Sequence, residues 1–459
     1  MEKNKKVHFI GICGTAMAAC AVELKNMNFD ICGSDKGFYP PVSVYLESNN
    51  IKIEIGYKKN HITDDIDFVV LGNAVSISNI ELKEAQRKNI KIYSYPEILE
   101  KFLVKKESIV VAGEYGKTTI TSLLSYIFTK AGKKPSYMFG GISLDLKESM
   151  KIEDSDISII EGDEYNASSL DKSSKFLYYK PKYLILTSLL WDHIDLFPKE
   201  EDYINTFKKL VSLVPKDGMI ILNIDDKSIE KILPLDKNIK TYSLKDQNAD
   251  FAVSSIDILG GVTQFEINNK YIFKTTLIGR HNIQNLTAGI ALSLSLGLDY
   301  EDIKKAVLDY KGPKRRLEVR YKGEKGIVID DFAHSPYKVK ASVEAVREYF
   351  SSKKIISIYE PHSMSARDKK TLMWYKDIFI GSDKVIIVDI YKKNALDEEK
   401  RLESNDIVDI VKLDVKDSVY VKNSDLVEYL KKEFSKDTVF LFMSTGSFQG
   451  MLSKFVENL

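Results

Sequence analysis

The chain has 459 residues, 44% of them hydrophobic and 29% charged, with 67 basic against 66 acidic side chains. That length exceeds one ordinary core and predicts roughly two to four domains; the near-neutral balance gives no support for a nucleic-acid partner, and no stretch approaches the roughly 18 continuous apolar residues of a membrane span. Cys13, Cys20 and Cys32 are odd in number, lack metal-ligand spacing and read as reduced thiols of a cytoplasmic protein.

The first twenty residues combine a basic start, an apolar run and small side chains, as a secretory leader would. They read better as a strand, Val7 to Ile10, a glycine turn and a helix. Strands at Val7 to Ile10, Phe29 to Cys32 and Phe68 to Leu71 alternate with helical stretches over residues 1–104, which predicts a parallel sheet covered by helices. The turn Gly11-Ile12-Cys13-Gly14 resembles a dinucleotide fingerprint with Cys13 in place of the middle glycine, and Ser34-Asp35 follow the second strand. Asp35 reads equally as a ribose contact and as a helix N-cap.

A second block, residues 105–312, opens with the charged connector Lys105-Lys106-Glu107 and the stretch VVAGEYGKTTI, Val110 to Ile120. Gly113 and Gly116 can take backbone angles closed to other residues, so that successive N–H groups face phosphate oxygens at the positive end of a following helix that starts near Lys117-Thr118-Thr119. Lys117 adds a mobile full charge, and Thr118 can set its hydroxyl on a phosphate-bound Mg²⁺. The usual phosphate loop has four residues between its glycines; here there are two, Glu114 and Tyr115. Strands at Ile157 to Ile160, Tyr183 to Thr187 and Met219 to Asn223 follow, with polar residues collected just past their ends, the edge where open α/β sheets bind ligands. There Glu161 can hold Mg²⁺ directly or through water. His193, in Asp192-His193, stands open as a metal ligand, a proton carrier or a structural residue. Phe251 to Thr276 alternate around Gly260-Gly261 and predict an inserted antiparallel hairpin. Asn282 and Asn285 begin a helix on one face and read equally as caps and as amides holding a purine edge or a ribose.

Gly312-Pro313-Lys314-Arg315-Arg316 leads into a third block, residues 313–459, whose strands at Ile327 to Ile329, Ile355 to Tyr359, Val385 to Asp389 and Val439 to Met443 alternate with helices. The arginines could bridge to phosphate when domains close. Asp330-Asp331 end the first of these strands and run into His334, and Pro361-His362 follow the next, so ligand contacts are expected at this edge too. The fold class is therefore α/β with three domains: a Rossmann-like N-terminal domain, a central P-loop ATPase-like domain and a C-terminal doubly wound domain.

Taken together, FIGICGTAMA, GSDKGFYPPVS, VLGNAVS, AGEYGKTT, EGDEYNASSLDKSSKFLYYKPKYLILTSLLWDHIDLF, GRHNIQN, KRRLEVR and DDFAHSP resemble the Mur ligase family, the ATP-dependent amide-forming enzymes of peptidoglycan assembly, over nearly the whole chain. The shortened glycine loop is a mark of that family. Within it the likeness is greatest to the murein peptide ligases, which join L-alanyl-γ-D-glutamyl-meso-diaminopimelate to UDP-N-acetylmuramate; GICGT, Tyr39-Pro40-Pro41 and DKSSKFLYYKP carry the distinction from the L-alanine-adding members. The resemblance implies that residues 1–104 bind UDP through Gly11, Gly14, Ser34 and Asp35. It implies ATP on residues 105–312, within the Gly113, Gly116 and Thr119 loop. Lys117 would meet the β,γ-phosphates, and Thr118, Glu161 and His193 would hold Mg²⁺. Asn282 and Asn285 would border the base, Arg316 the phosphates, and Asp331 with His334 the incoming amine on residues 313–459. The partners implied are small molecules, UDP-N-acetylmuramate and a peptide or amino acid, with no nucleic acid and no membrane.

Four departures stand out. Glu114 and Tyr115 occupy positions where the family commonly has Thr and then His or Asn, which sets a negative charge beside the phosphates. Ser335 replaces a second histidine, Pro361-His362-Ser363 mixes the patterns of two sister enzymes, and Thr445-Gly446-Ser447 is less glycine-rich than the family tail. In the implied reaction the lactyl carboxylate attacks the γ-phosphorus of ATP, and the resulting acyl phosphate is attacked by an amine while closure of the third block excludes water. Two rivals remain on sequence: the UDP-N-acetylmuramate–L-alanine ligase, and a non-catalytic ATP-binding switch for which Glu114 is the only encouragement.

Overall fold

FVVL at Phe68–Leu71, GIVIDD at Gly326–Asp331 and TVFLFM at Thr438–Met443 are buried at every residue. Strands apolar on both faces have to lie inside a sheet covered by helices on either side, and that is where the chain puts them. The computed structural model describes residues 4–39, 42–191, 196–233, 236–391, 397 and 399–459.

The first sheet runs in the order Lys52–Ile55, Asp30–Asp35, Lys6–Ile10, Phe68–Leu71, Lys91–Ser94, with every pair parallel. The chain winds outward in both directions from Lys6–Ile10, so its switch point lies between that strand and Phe68–Leu71, where a crevice opens past the strand ends. The second sheet has ten strands, and Glu107–Ala112, which feeds the phosphate loop, lies inside it between Tyr183–Leu186 and Ile157–Glu161, parallel to both. The predicted hairpin is larger than its sequence indicates. Phe251–Leu259, Val262–Ile267 and Tyr271–Thr275 extend this same sheet at one edge, because Phe251 and Ala252 pair in parallel with Tyr242 and Ser243. Two short strands, Ser136–Met138 and Met150–Lys151, finish the other edge; two or three residues are too few to show a period of two in the sequence.

The third sheet orders Glu318–Gly323, Gly326–Asp331, Thr438–Met443, Lys354–Tyr359, Lys384–Ile387, Ser418–Tyr420, parallel except for its first pair. Alternate residues of each strand enter different cores. Ile327 and Ile329 pack with Val339, Val343 and Val346 of the helix Pro336–Tyr349, whereas Val328 packs with Leu426, Leu430 and Phe455 on the opposite face. The helical contributions recur every three or four residues, as an amphipathic helix on a sheet requires.

The chain divides into two compact units. One comprises Met1–Ile256, Gln264–Thr275 and Gln284–Tyr310 and holds the first sheet and most of the second; the other comprises Asp257–Thr263, Thr276–Ile283 and Lys311–Leu459 and holds the third. Within the first unit one apolar cluster runs from Val7 and Phe9 through Val110 to Leu184 and Ile220. A buried polar tie adds to it, since the backbone N–H of Ile152 donates to Glu23 Oε2 at 2.7 Å. Cys13, Cys20 and Cys32 are free thiols. Among the described residues no helix is long and apolar enough to cross a membrane.

Candidate active site

The glycines of the phosphate loop are required by geometry. Gly113 has φ +123°, and a Cβ built there would lie 2.3 Å from Thr187 Oγ1 and 2.7 Å from the Ser188 carbonyl oxygen. Gly116, at φ +77°, precedes the helix Lys117–Lys130, and its Cβ would fall 2.1 Å from Asn285 Oδ1. Between them the Glu114 N–H donates to Ser188 Oγ at 3.0 Å. The loop is thus pinned to the end of the neighbouring strand while the helix N-terminus, whose first N–H groups have no partner within the helix, supplies an anion site.

Three carboxylates surround Lys117. Its Nζ lies 3.1 Å from Glu164 Oε2. Burial works to discharge this ammonium, but Glu164, Glu114 and Glu161 outweigh it and hold its pKa above the usual lysine value. Glu164 thus pairs with the lysine and helps keep it charged. Glu161 ends its strand with Oε1 accepting from the Thr118 hydroxyl at 2.8 Å and Oε2 from the Gly140 N–H at 2.6 Å, and burial raises its pKa. Replacing Glu114 by glutamine removes one negative charge beside the phosphates, so Glu114→Gln is expected to lower the KM for ATP by about threefold in initial-rate measurements. A raised KM would instead assign Glu114 a constructive role in binding nucleotide or metal.

Among the described residues no group of three or more His, Cys, Asp and Glu side chains converges as a metal site. What does converge is the hydroxyl of Thr118 and the carboxylate of Glu161, a partial oxygen set of the kind Mg²⁺ takes when phosphates and water complete its shell. The residues present fit that ion. His193, with Asp192 and Asp195, lies outside the described residues.

A cavity of about 990 Å³ runs from the switch point of the first sheet to the phosphate loop, lined by Gly11, Gly14 and Asp35 at one end and by Lys117, Glu161 and Lys175 at the other. Asp35 braces the glycine turn, with Oδ2 accepting from the Cys13 N–H at 2.8 Å. Ser34 is placed differently from the sequence expectation: it is fully buried, and its hydroxyl donates to Glu81 instead of facing the cavity. Lys175, which sequence reasoning did not single out, pairs with Asp163 at 2.6 Å on the cavity wall. Only the fold of residues 162–179 returns it there, so no spacing in the chain betrays it.

The two asparagines of the next helix part company. Asn285 stands against Gly116 in the first unit, whereas Asn282 belongs to the second, is buried, and donates from Nδ2 to the Ile278 carbonyl at 2.9 Å. In the second unit Asp331 is buried and its oxygens are taken by the chain itself: Oδ2 accepts from the Leu317 N–H at 2.7 Å, Oδ1 from the Ala333 N–H at 2.8 Å and the Ser342 hydroxyl at 3.0 Å. It ties the segment of Arg316 and Leu317 to the loop that carries His334. The His334 Nδ1–H donates to the Phe332 carbonyl at 2.9 Å, which leaves Nε2 as the basic nitrogen, and burial holds the ring below its usual pKa, neutral at pH 7. Arg315 is structural, donating to the Ser444 carbonyl at 2.6 Å; Arg316 is exposed, its guanidinium 5.3 Å from the Phe332 ring centroid.

Three family profiles match the chain in succession: the Mur ligase catalytic domain over residues 6–106, the Mur ligase middle domain over 111–293 and the Mur ligase glutamate ligase domain over 315–446. The UDP-N-acetylmuramate–L-alanine ligase of Caldanaerobacter subterraneus subsp. tengcongensis is 33% identical over 100% of this chain and 98% of its own length. The chain belongs to the Mur ligase family. As a Mur ligase it is an ATP-dependent enzyme that forms amide bonds. The UDP-N-acetylmuramate–L-alanyl-γ-D-glutamyl-meso-2,6-diaminoheptandioate ligase of Haemophilus influenzae is 30% identical over 99% of both chains. The crystal structure of the UDP-N-acetylmuramate–alanine ligase of Thermotoga maritima superposes on this Mur ligase with a TM-score of 0.80 over 99% of this chain and 98% of that one, at 24% identity, a likeness of fold.

Proposed function

We propose that this Mur ligase activates the lactyl carboxylate of UDP-N-acetylmuramate with ATP and transfers it to the α-amine of L-alanine. The observation that carries the first half is one continuous cavity of about 990 Å³ whose lining runs from Asp35 and the glycine turn to Lys117 and Glu161 of the phosphate-loop region. The acceptor is supported by the relative identical at 33%, which is named for L-alanine. A peptide acceptor is the second reading, supported by the sequence distinction and by the relative from Haemophilus influenzae, 30% identical, which is named for a peptide-joining ligase. Supplying UDP-N-acetylmuramate and ATP with radiolabelled L-alanine or with the tripeptide separates the two; label from alanine in the product supports the first reading, and label from tripeptide alone overturns it.

In the proposed reaction two anions have to meet. Lys117 holds the phosphates, and its partner Glu164 reclaims it when they leave. Mg²⁺ bound through Thr118 and Glu161 would supply further neutralisation of phosphate charge. The carboxylate oxygen attacks the γ-phosphorus, ADP departs, and the acyl phosphate is attacked by the amine, releasing phosphate and leaving an amide. The amine arrives as an ammonium and has to lose a proton, which the neutral Nε2 of His334 is suited to take. We assign UDP-sugar binding to residues 1–104, ATP to 105–312 and the amine to 313–459, in the cytoplasm, where ATP and UDP-sugars are made.

A further inference from the structure

Glu81 is fully buried in the first turn of the helix Ile80–Arg87, which is capped by Asn79. Its carboxylate accepts from four donors on three other segments. Oε2 takes the Ser34 hydroxyl at the end of one strand and His8 Nε2–H at 3.2 Å in the strand beside it; Oε1 takes the Lys58 N–H at 2.9 Å and His61 Nδ1–H at 2.6 Å. An ionised carboxylate only accepts, so both imidazoles present an N–H to it. Burial alone would raise its pKa, but the bonds from His8, Ser34 and Lys58 outweigh it and lower the value.

A buried ionic cluster is a poor way to stabilise a fold, since apolar side chains of the same volume often do as well. What it provides is position. None of Glu81, Ser34, His8 and His61 lines the cavity, yet their sequence neighbours do: Asp35 follows Ser34, Tyr57 precedes Lys58, and Asn79 and Ile80 precede Glu81. The Ser34 carbonyl also accepts from the N–H groups of Gly11 at 2.8 Å and Ile12 at 3.1 Å, so the glycine turn is tied to the same knot.

We propose that Glu81 is a positioning residue for the sugar nucleotide, holding the glycine turn, the Asp35 segment, the Tyr57 segment and the Asn79 turn in one preformed arrangement. A preformed site spares the ligand the cost of ordering these loops. The proposal rests on the reading that the cavity takes UDP-N-acetylmuramate.

The test titrates UDP-N-acetylmuramate into the full chain and follows steady-state rates. Glu81→Gln turns one acceptor oxygen into a donor facing either the Lys58 and His61 N–H groups or the His8 N–H and Ser34 hydroxyl, and it is expected to raise both Kd and KM for UDP-N-acetylmuramate by about tenfold or more. The KM for ATP and kcat at saturation should stay within about twofold, as expected when ground-state binding alone is lost. His61→Ala should raise the same Kd by a smaller factor, and His61→Asn, whose amide N–H can stand in for Nδ1–H, should restore it. An unchanged Kd in Glu81→Gln overturns the proposal, and so does a loss falling equally on both substrates. If Glu81→Gln does not fold, Ser34→Ala and His61→Ala carry the same comparison with the same two outcomes. Failure of the unmodified protein to bind UDP-N-acetylmuramate would overturn the cavity assignment itself, and this role with it.

Discussion

Lys117→Ala is expected to cut acyl-phosphate formation by roughly a thousandfold or more while UDP-N-acetylmuramate still binds. The side chain is 16% exposed and is the positive centre among Glu114, Glu161 and Glu164. Without it the helix N-terminus remains, but the γ-phosphate and the approaching carboxylate face three carboxylates without the ammonium that stood among them. Binding should survive because the cavity extends to Gly11 and Asp35, well beyond this lysine in sequence and fold. Hydroxylamine trapping of the acyl phosphate reads the first effect and calorimetric titration of UDP-N-acetylmuramate the second. Turnover retained in Lys117→Ala would remove the phosphate loop from the mechanism.

Gly113→Ala should be as damaging to activity, and for a different reason. At φ +123° the added Cβ meets Thr187 Oγ1 and, at 2.7 and 2.8 Å, the backbone oxygen and nitrogen of Ser188. A side chain can turn aside, but backbone at a strand end has nowhere to go, so the loop must move. We expect activity to fall to background, with about 3 kcal/mol or more of stability lost. Gly132→Ala is the control: at φ +72° its Cβ would meet nothing within 4 Å, so only the left-handed backbone penalty applies, about 1 kcal/mol, with activity kept. Thermal melts and ATP titrations of the two variants make the comparison, and a Gly113→Ala enzyme that melts and binds nucleotide like the control would show that the loop does not need its tight fit against Ser188.

Much of the protein was legible in one dimension. Gly113, Gly116, Lys117 and Thr118 could be placed at a strand-to-helix turn from backbone freedom and short spacing, both local properties, and the strand that feeds them is an apolar run long enough to show. The same holds for Glu161, at the end of its strand, and for Gly11 and Asp35 at the switch point. Partnership is another matter. Ser34 and Asp35 are adjacent, yet one side chain turns inward to Glu81 and the other braces the cavity wall, because successive residues of a strand face opposite ways and only the neighbouring strands decide what each face meets. Asp331 looked like a contact for the amine, and it accepts from three donors on three segments of its own unit, Leu317, Ala333 and Ser342; Asn282 looked like a twin of Asn285, and its amide donates to the Ile278 carbonyl.

Glycine spacing, charge and strand periodicity, written within a dozen residues, marked a phosphate loop in α/β sheets, and the chain's resemblance to the Mur ligases implied the amide-forming chemistry. Folding settles which carboxylates hold Lys117, which polar groups are spent on the fold, and which buried residue ties the cavity loops together. Those outcomes depend on contacts between residues tens of positions apart, such as Glu81 with Ser34 and His8, whose energies no local pattern records.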